Sequence, residues 1–459
     1  MGFLIRSKNV FTGLADHPQP ASIWVEDSQI KAVLPWDYDK DAYADLECRD
    51  YGEQLIMPSF IDAHTHMFSG AIDASDYVCD TLGECTSQEE CAQMIAAYAT
   101  EHPNQRRIRG VGWFVGAWND APMPDCRSLD ALIPDRPVYL LCADSHSMWL
   151  NTKAMEEVGF AADFDVENGE VCRFPDGSLS GLFIEPAAYE PAMQKYMEFS
   201  ATEMAGIHRG FQKELASYGI AGVSEMFADD YTDDTRTRYR QLTELEKTNE
   251  LCAHTFIYTK LFDYTDFTPY FDLKKEIDTQ HVHINGVKGF IDGVTETYTG
   301  LLLEPYTDRP DTCGEGLPLH PVERMQEEIT AANKAGIQVR LHCIADGSVR
   351  MALDLYEQAQ RESGWDTSRH KNTIEHIENI HPDDIDRFAE LGVIPSMQPY
   401  HVTLSNGDKV WRLGEERCRL EFPIRTIYDH GGQIALGTDY PVVTINPFNT
   451  IYAALTRCD

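Results

Sequence analysis

The sequence predicts an α/β chain: a TIM-like (β/α)8 barrel, a small β-sandwich module, and an α+β cap subdomain inserted after barrel strand one. Three observations predict it. First, apolar runs of strand length follow one another as "GIAGVSEM" (219–226), "LCAHTFIY" (251–258), "INGVKGFIDG" (284–293), "AGIQVRLHCIADG" (335–347), "KNTIEHI" (371–377), "LGVIPSMQP" (391–399) and "GQIALGTDYP" (432–441). With the run Leu55–Ile61 they make eight strands, most of them separated by helix-like stretches, and eight such units call for a barrel rather than an open sheet. Second, the first 56 residues hold only short β-rich runs broken by turn residues, with no helical period. Third, about 150 residues separate the first barrel strand from the second, far more than an ordinary connection of a few residues.

The intervening helices read from apolar residues at three- and four-residue spacing, as in "TEMAGIHRGFQKELASYG" and "GSVRMALDLYEQAQRE", with Gly at their ends and Pro near some starts. The long insertion carries strand candidates of its own, "RIRGVGWFVG" and "RPVYLLCAD", so it forms a subdomain over one side of the barrel mouth. The predicted division is therefore 1–56 for the β module and 57–459 for the barrel, with 68–200 as the inserted cap.

Composition narrows the partners. Of 459 residues, 43% are hydrophobic and 25% charged, as in an ordinary globular protein. The 38 basic and 75 acidic residues give a net charge of −37, which repels phosphate backbones and anionic lipid, so neither nucleic acid nor membrane is expected as a partner. The opening "MGFLIRSKNVFTG" lacks an apolar signal core, and the 12 cysteines form no C-x-x-C pair, so free thiols and a cytoplasmic location are expected. A homo-oligomer stays compatible with the sequence.

Functional residues of such a barrel gather at the C-terminal ends of its strands. Polar residues there are His64 and His66 on strand one, Lys288 on strand four, His342 on five, His376 on six and Asp439 on eight. Each sits inside or just after an apolar run, where an ionisable group is costly unless paired or bound. A single buried histidine is usually a satisfied core residue. Four histidines and an aspartate at one end of one barrel point instead to a metal ion, and neutral imidazoles two residues apart on a strand suit a zinc-type ion.

The segments H-T-H, "VKGFIDG", "LHCIADG", "IEHIE" and "LGTDYPV" resemble the amidohydrolase superfamily, and within it the third family, the YtcJ-like branch that includes N-substituted formamide deformylases. The likeness extends to "DSHSMWLNTKAM" (144–155), "DGVTETYTGLLLEPY" (292–306), "MQPYH" (397–401) and "NPFNTIYAALTR" (446–457), and so spans nearly the whole chain. It implies a hydrolase of carbon–nitrogen bonds other than peptide bonds, acting on a small amide-like molecule with one or two zinc ions. His64, His66 and Asp439 would hold the more buried ion, His342 and His376 a second, and Lys288 would bridge them as a carboxylated lysine. Asp439 would also move the proton between water and leaving nitrogen. The resemblance further implies a helix and strands after strand eight that complete the β module; the chain stops at "LTRCD", so that part of the module is expected to be missing.

Alternatives remain at this stage. An unmodified Lys288 would pair with a carboxylate such as Asp292 and leave one metal. The same site serves an isomerase or lyase, and the barrel could be a non-catalytic binding protein, although that reading usually shows a lost ligand. His146, His401 and Trp118 are candidate substrate contacts, with a structural hydrogen bond or cap core as the competing role. His281 and His283 ("QHVHING") enter strand four instead of leaving it, which places them at the barrel bottom, away from the site.

Overall fold

The computed structural model describes residues 2–118, 122–143, 146–166, 169–314, 317–404 and 408–457. The chain divides into two compact units, Met1–Ile61 and Asp62–Asp459, so the boundary falls a few residues beyond the expected one. In the first unit β1 (Gly2–Val10) pairs antiparallel with β2 (Gln19–Glu26), which pairs with β3 (Gln29–Pro35). The short strands β4 (Glu47–Asp50) and β5 (Leu55–Ile56) run parallel to β1, completing one five-stranded sheet.

The second unit is the barrel and its insertion. Eight strands follow the order β18-β17-β16-β15-β14-β13-β12-β6. They are β6 (Phe60–Thr65), β12 (Ile220–Glu225), β13 (His254–Lys260), β14 (Val282–Phe290), β15 (Gln338–Cys343), β16 (Thr373–His376), β17 (Ile394–Met397) and β18 (Ala435–Leu436). Every expected strand is present, and the pairings from β12 to β18 are parallel. The seam between last and first strand is closed by a single parallel bridge, Thr65 to Tyr440.

The helices start and stop where local chemistry dictates. Helix Ala201–Ser217 begins in a capping box, in which Ser200 and Glu203 satisfy each other's free N–H groups. Helix Asp346–Ser363 ends on Gly364 in the left-handed conformation that glycine adopts without penalty.

The insertion builds its own sheet in the order β10-β11-β9-β8-β7, from β7 (Ile108–Trp113), β8 (Val138–Cys142), β9 (Ser147–Leu150), β10 (Glu170–Arg173) and β11 (Leu179–Ile184). Trp113, Trp118 and Trp149 pack edge to face and tilted at its centre, with ring centroids 5.8–6.4 Å apart. Trp118 is fully buried there and so is cap core rather than an accessible pocket wall. Among the described residues no helix is long and apolar enough to cross a membrane, and the described cysteines are free thiols.

Candidate metal centre

Strand β6 delivers His64 and His66 to one face, and both imidazoles meet the Asp439 carboxylate, which arrives just after β18. His64 Nε2 lies 3.2 Å and His66 Nε2 3.1 Å from Asp439 Oδ1. From the other side, His376 Nδ1 is 3.9 Å and His401 Nε2 3.8 Å from Oδ2. The Asp439 N–H donates to the His64 carbonyl at 2.8 Å, which fixes the distance between the strand ends. Donor atoms of His64, His376 and Asp439 all lie within 4.8 Å of one another. Neighbouring donors around a tetrahedral zinc ion stand about 3.3 Å apart, so the His64–Asp439 and His66–Asp439 spacings match.

Two of these residues, His376 and Asp439, have φ of 75° and 60°, and Ile377 follows at 54°. Left-handed backbone is costly for residues with a Cβ and clusters at functional sites. At β16 it has a direct use. Strand alternation alone would send Glu375 and His376 to opposite faces; the turn at His376 lets both reach the site.

Glu375 is the residue that sequence reasoning missed. It is fully buried, and its Oε2 accepts from His64 Nδ1 at 2.7 Å while its Oε1 accepts from Arg340 Nη1 at 3.0 Å. Burial pushes its pKa up, but the Arg340 and His64 charges outweigh that and leave it at about 2. An ionised Glu375 holds the proton of His64 on Nδ1 and turns the Nε2 lone pair toward Asp439, the usual outer support of a metal-binding histidine. Burial also opposes charge on His64, yet Asp439 and Glu375 raise its proton affinity overall.

Asp62, also missed, ties the first strand to the last. Its Oδ1 accepts from the His64 and Thr438 N–H groups at 3.1 and 3.0 Å, and its Oδ2 from the Thr438 hydroxyl at 2.7 Å. The only signal for it was its place two residues before His64.

Lys288 lies on β14, 1% exposed, and its ammonium has no hydrogen-bond partner among the described residues. Burial lowers its pKa to about 8, with Glu375 and Asp439 opposing. It acts electrostatically on His64, His342 and His376 alike, which places it among them. The expected alternative pairing with Asp292 is not formed. Asp292 spends its oxygens on the N–H groups of Leu301, Ile344 and Ala345 at 3.0–3.2 Å.

His342 stacks edge to face on His376 with centroids 4.4 Å apart, and its Nε2–H donates to the Gly293 carbonyl at 3.2 Å, which leaves Nδ1 as its free donor. The donor set of imidazoles and carboxylate around an orphaned lysine thus fits a divalent ion of the zinc type.

Of the remaining candidates, His401 faces Asp439, whereas His146 is exposed in the insertion and paired with Glu185 at 3.0 Å. Residues 144 and 145 of the same motif lie outside the described residues. His281 enters β14 and bonds Glu246 at 2.7 Å, and His283 lies 3.5 Å from His254. We expect His64→Ala to abolish metal retention and His281→Ala or His283→Ala to leave it unchanged, as read by elemental analysis of gel-filtered protein. Metal loss in the second pair alone would invert the assignment of the barrel ends.

A parallel barrel with imidazoles and a carboxylate converging at its C-terminal end is a barrel scaffold with a metal-type donor set. The sequence model of the amidohydrolase family (Amidohydro_3) matches residues 49–459, and the chain belongs to that family. It is 27% identical over 466 residues to Protein LONG AFTER FAR-RED 3 of Arabidopsis thaliana, covering 99% of this chain and 78% of that protein. It is 23% identical to the putative amidohydrolase YtcJ of Bacillus subtilis, over 98% of this chain and 82% of the relative. Identity is also 23% to the N-substituted formamide deformylase of Arthrobacter pascens, over 91% and 76%. An uncharacterized metal-dependent hydrolase from Pyrococcus furiosus shares the fold, with a TM-score of 0.77, 24% identity, and coverage of 99% of this chain and 89% of that one.

Proposed function

We propose that the protein hydrolyses a carbon–nitrogen bond in a small amide, with zinc at one or two positions and Lys288 carboxylated when two are filled. The observation that carries this reading is the convergence of His64, His66 and His376 on the Asp439 carboxylate beside the orphaned Lys288. A bound divalent ion supplies a water of pKa near 7 and polarises a carbonyl.

The chain's own residues do the rest. Asp439 takes the proton of the attacking water and returns it to the leaving nitrogen, an essential step because an amine anion is a poor leaving group. Glu375 and Asp62 hold His64 in place, and Lys288, as a carbamate, would offer one oxygen to each of two ions. A surface of net charge −37 disfavours polyanionic substrates. A cytoplasmic location is supported by the free thiols.

The test is metal content and turnover together. Purified protein should carry one to two equivalents of zinc or a similar ion, and a strong chelator should abolish hydrolysis of a panel of N-acyl amines, N-substituted formamides and cyclic amides. Product formed in labelled water should contain one oxygen from solvent. Full activity without metal would end the reading, and product without solvent oxygen would turn it toward isomerisation or elimination.

A further inference from the structure

Arg340 lies on β15 two residues before His342, so the two side chains share a face and Arg340 stands one layer deeper in the barrel. Its reach is long. In the ring of eight strands β15 and β6 are four places apart in either direction, yet Arg340 Nη1 donates to the Ala63 carbonyl of β6 at 2.7 Å. The same nitrogen donates to Glu375 Oε1 of β16 at 3.0 Å. One guanidinium nitrogen therefore holds His64 twice. It grips the carbonyl of the peptide bond that joins Ala63 to His64, and it grips the carboxylate that accepts from the His64 ring at 2.7 Å.

The guanidinium also lies over the Tyr258 ring of β13, with Cζ 4.3 Å from the ring centroid. The Tyr258 hydroxyl accepts from Asn285 Nδ2 of β14 at 2.5 Å, and Gly286 makes room for the ring, since a Cβ there would stand 3.0–3.1 Å from two of its carbons. Arg340, Tyr258 and Glu375 are all buried, so bulk water does not compete for these contacts. A planar cation on a dry aromatic face is fixed in orientation by the ring as well as by its hydrogen bonds.

Resting on the metal-dependent hydrolase reading above, we propose that Arg340 is a positioning residue for the metal centre, a crossbar that fixes the span between His64 on β6 and His376 on β16, with the Tyr258 ring as its support. Neither Arg340 nor Tyr258 is a proposed ligand. Both act through the spacing of the donors, and a site holds its ion tightly only when its ligands are locked near the bound geometry by the groups behind them. Loosening the crossbar therefore weakens the grip on the ion in protein that is still folded.

The experiment measures zinc affinity by chelator competition and, separately, denaturant unfolding of the metal-free protein. Tyr258→Leu removes the aromatic face and should weaken zinc binding roughly three- to tenfold, whereas Tyr258→Phe keeps the face and should stay within about twofold of wild type. Arg340→Lys keeps the charge but lacks the planar fork and the reach to both strands, and should lose about tenfold; Arg340→Met should lose at least as much. If the Arg340 variants do not fold, the Tyr258 pair still decides. A role in stability alone would lower the unfolding midpoint of the Leu variant and leave the zinc affinity of the folded protein unchanged. That result, or equal zinc affinities of the Leu and Phe variants, would overturn the inference and leave the hydrolase reading standing. Wild-type protein that binds no zinc would overturn both.

Discussion

Asp439→Asn should lower kcat at least a hundredfold while the histidines stay in place. The substitution preserves shape, and the remaining carbonyl oxygen still faces His64 and His66, which reach Asp439 Oδ1 at 3.2 and 3.1 Å in the native chain. An amide cannot accept the water proton and hand it on, and general acid–base catalysis contributes about 10² to 10⁴ in rate. Burial favours the neutral form of Asp439, but the surrounding imidazoles outweigh it and hold the carboxylate ionised, well below its usual range. It is therefore held in the ionised state that the proposed general base requires. Zinc content and single-turnover rate of the variant decide the matter. A variant that keeps its metal and loses less than about tenfold in kcat would remove Asp439 from proton transfer.

Glu375→Ala should be the most damaging change at a residue that is not itself a proposed ligand. It leaves the Arg340 guanidinium buried without its carboxylate, and removing one partner of a buried ion pair costs about 3–5 kcal/mol. It also frees the His64 ring, and loss of such an outer partner weakens metal binding about 10- to 100-fold. Glu375→Gln keeps an acceptor for His64 and should retain more affinity than the alanine variant. Denaturant unfolding and chelator competition measure the two effects separately. Unchanged metal affinity combined with a stability loss below about 1 kcal/mol would show that Glu375 is only filling space.

Much of this was legible before any coordinates. His64, His66, His342, His376, Lys288 and Asp439 stand out because each interrupts or ends an apolar run, where water cannot pay for its charge. Glu375 and Asp62 also lie in or directly after such runs, but their places in the sequence did not show what either would bind. Strand alternation would send Glu375 away from His376, and only the left-handed backbone at His376 overrules it. Arg340 was invisible for another reason: an arginine within a strand reads as a solvated edge residue until its partner is known. Trp118 looks the same in sequence whether it lines a pocket or fills a core, and the close packing of Trp113 and Trp149 decided for the core.

The final barrel strand, Ala435–Leu436, is only two residues long, and among the described residues the segment after it joins the first strand by one bridge, the Asp439 N–H bond to the His64 carbonyl and the Asp62 staple. The barrel is thus a hoop with a short overlap, and its proposed ligands stand on both sides of the gap, His64 and His66 on one and Asp439 on the other. A cation bound at the proposed ligands would clasp both sides of that gap, so its loading and hoop closure would each favour the other. The seam between the first and last barrel strands is then also where ion supply would tune how much of the protein stays folded.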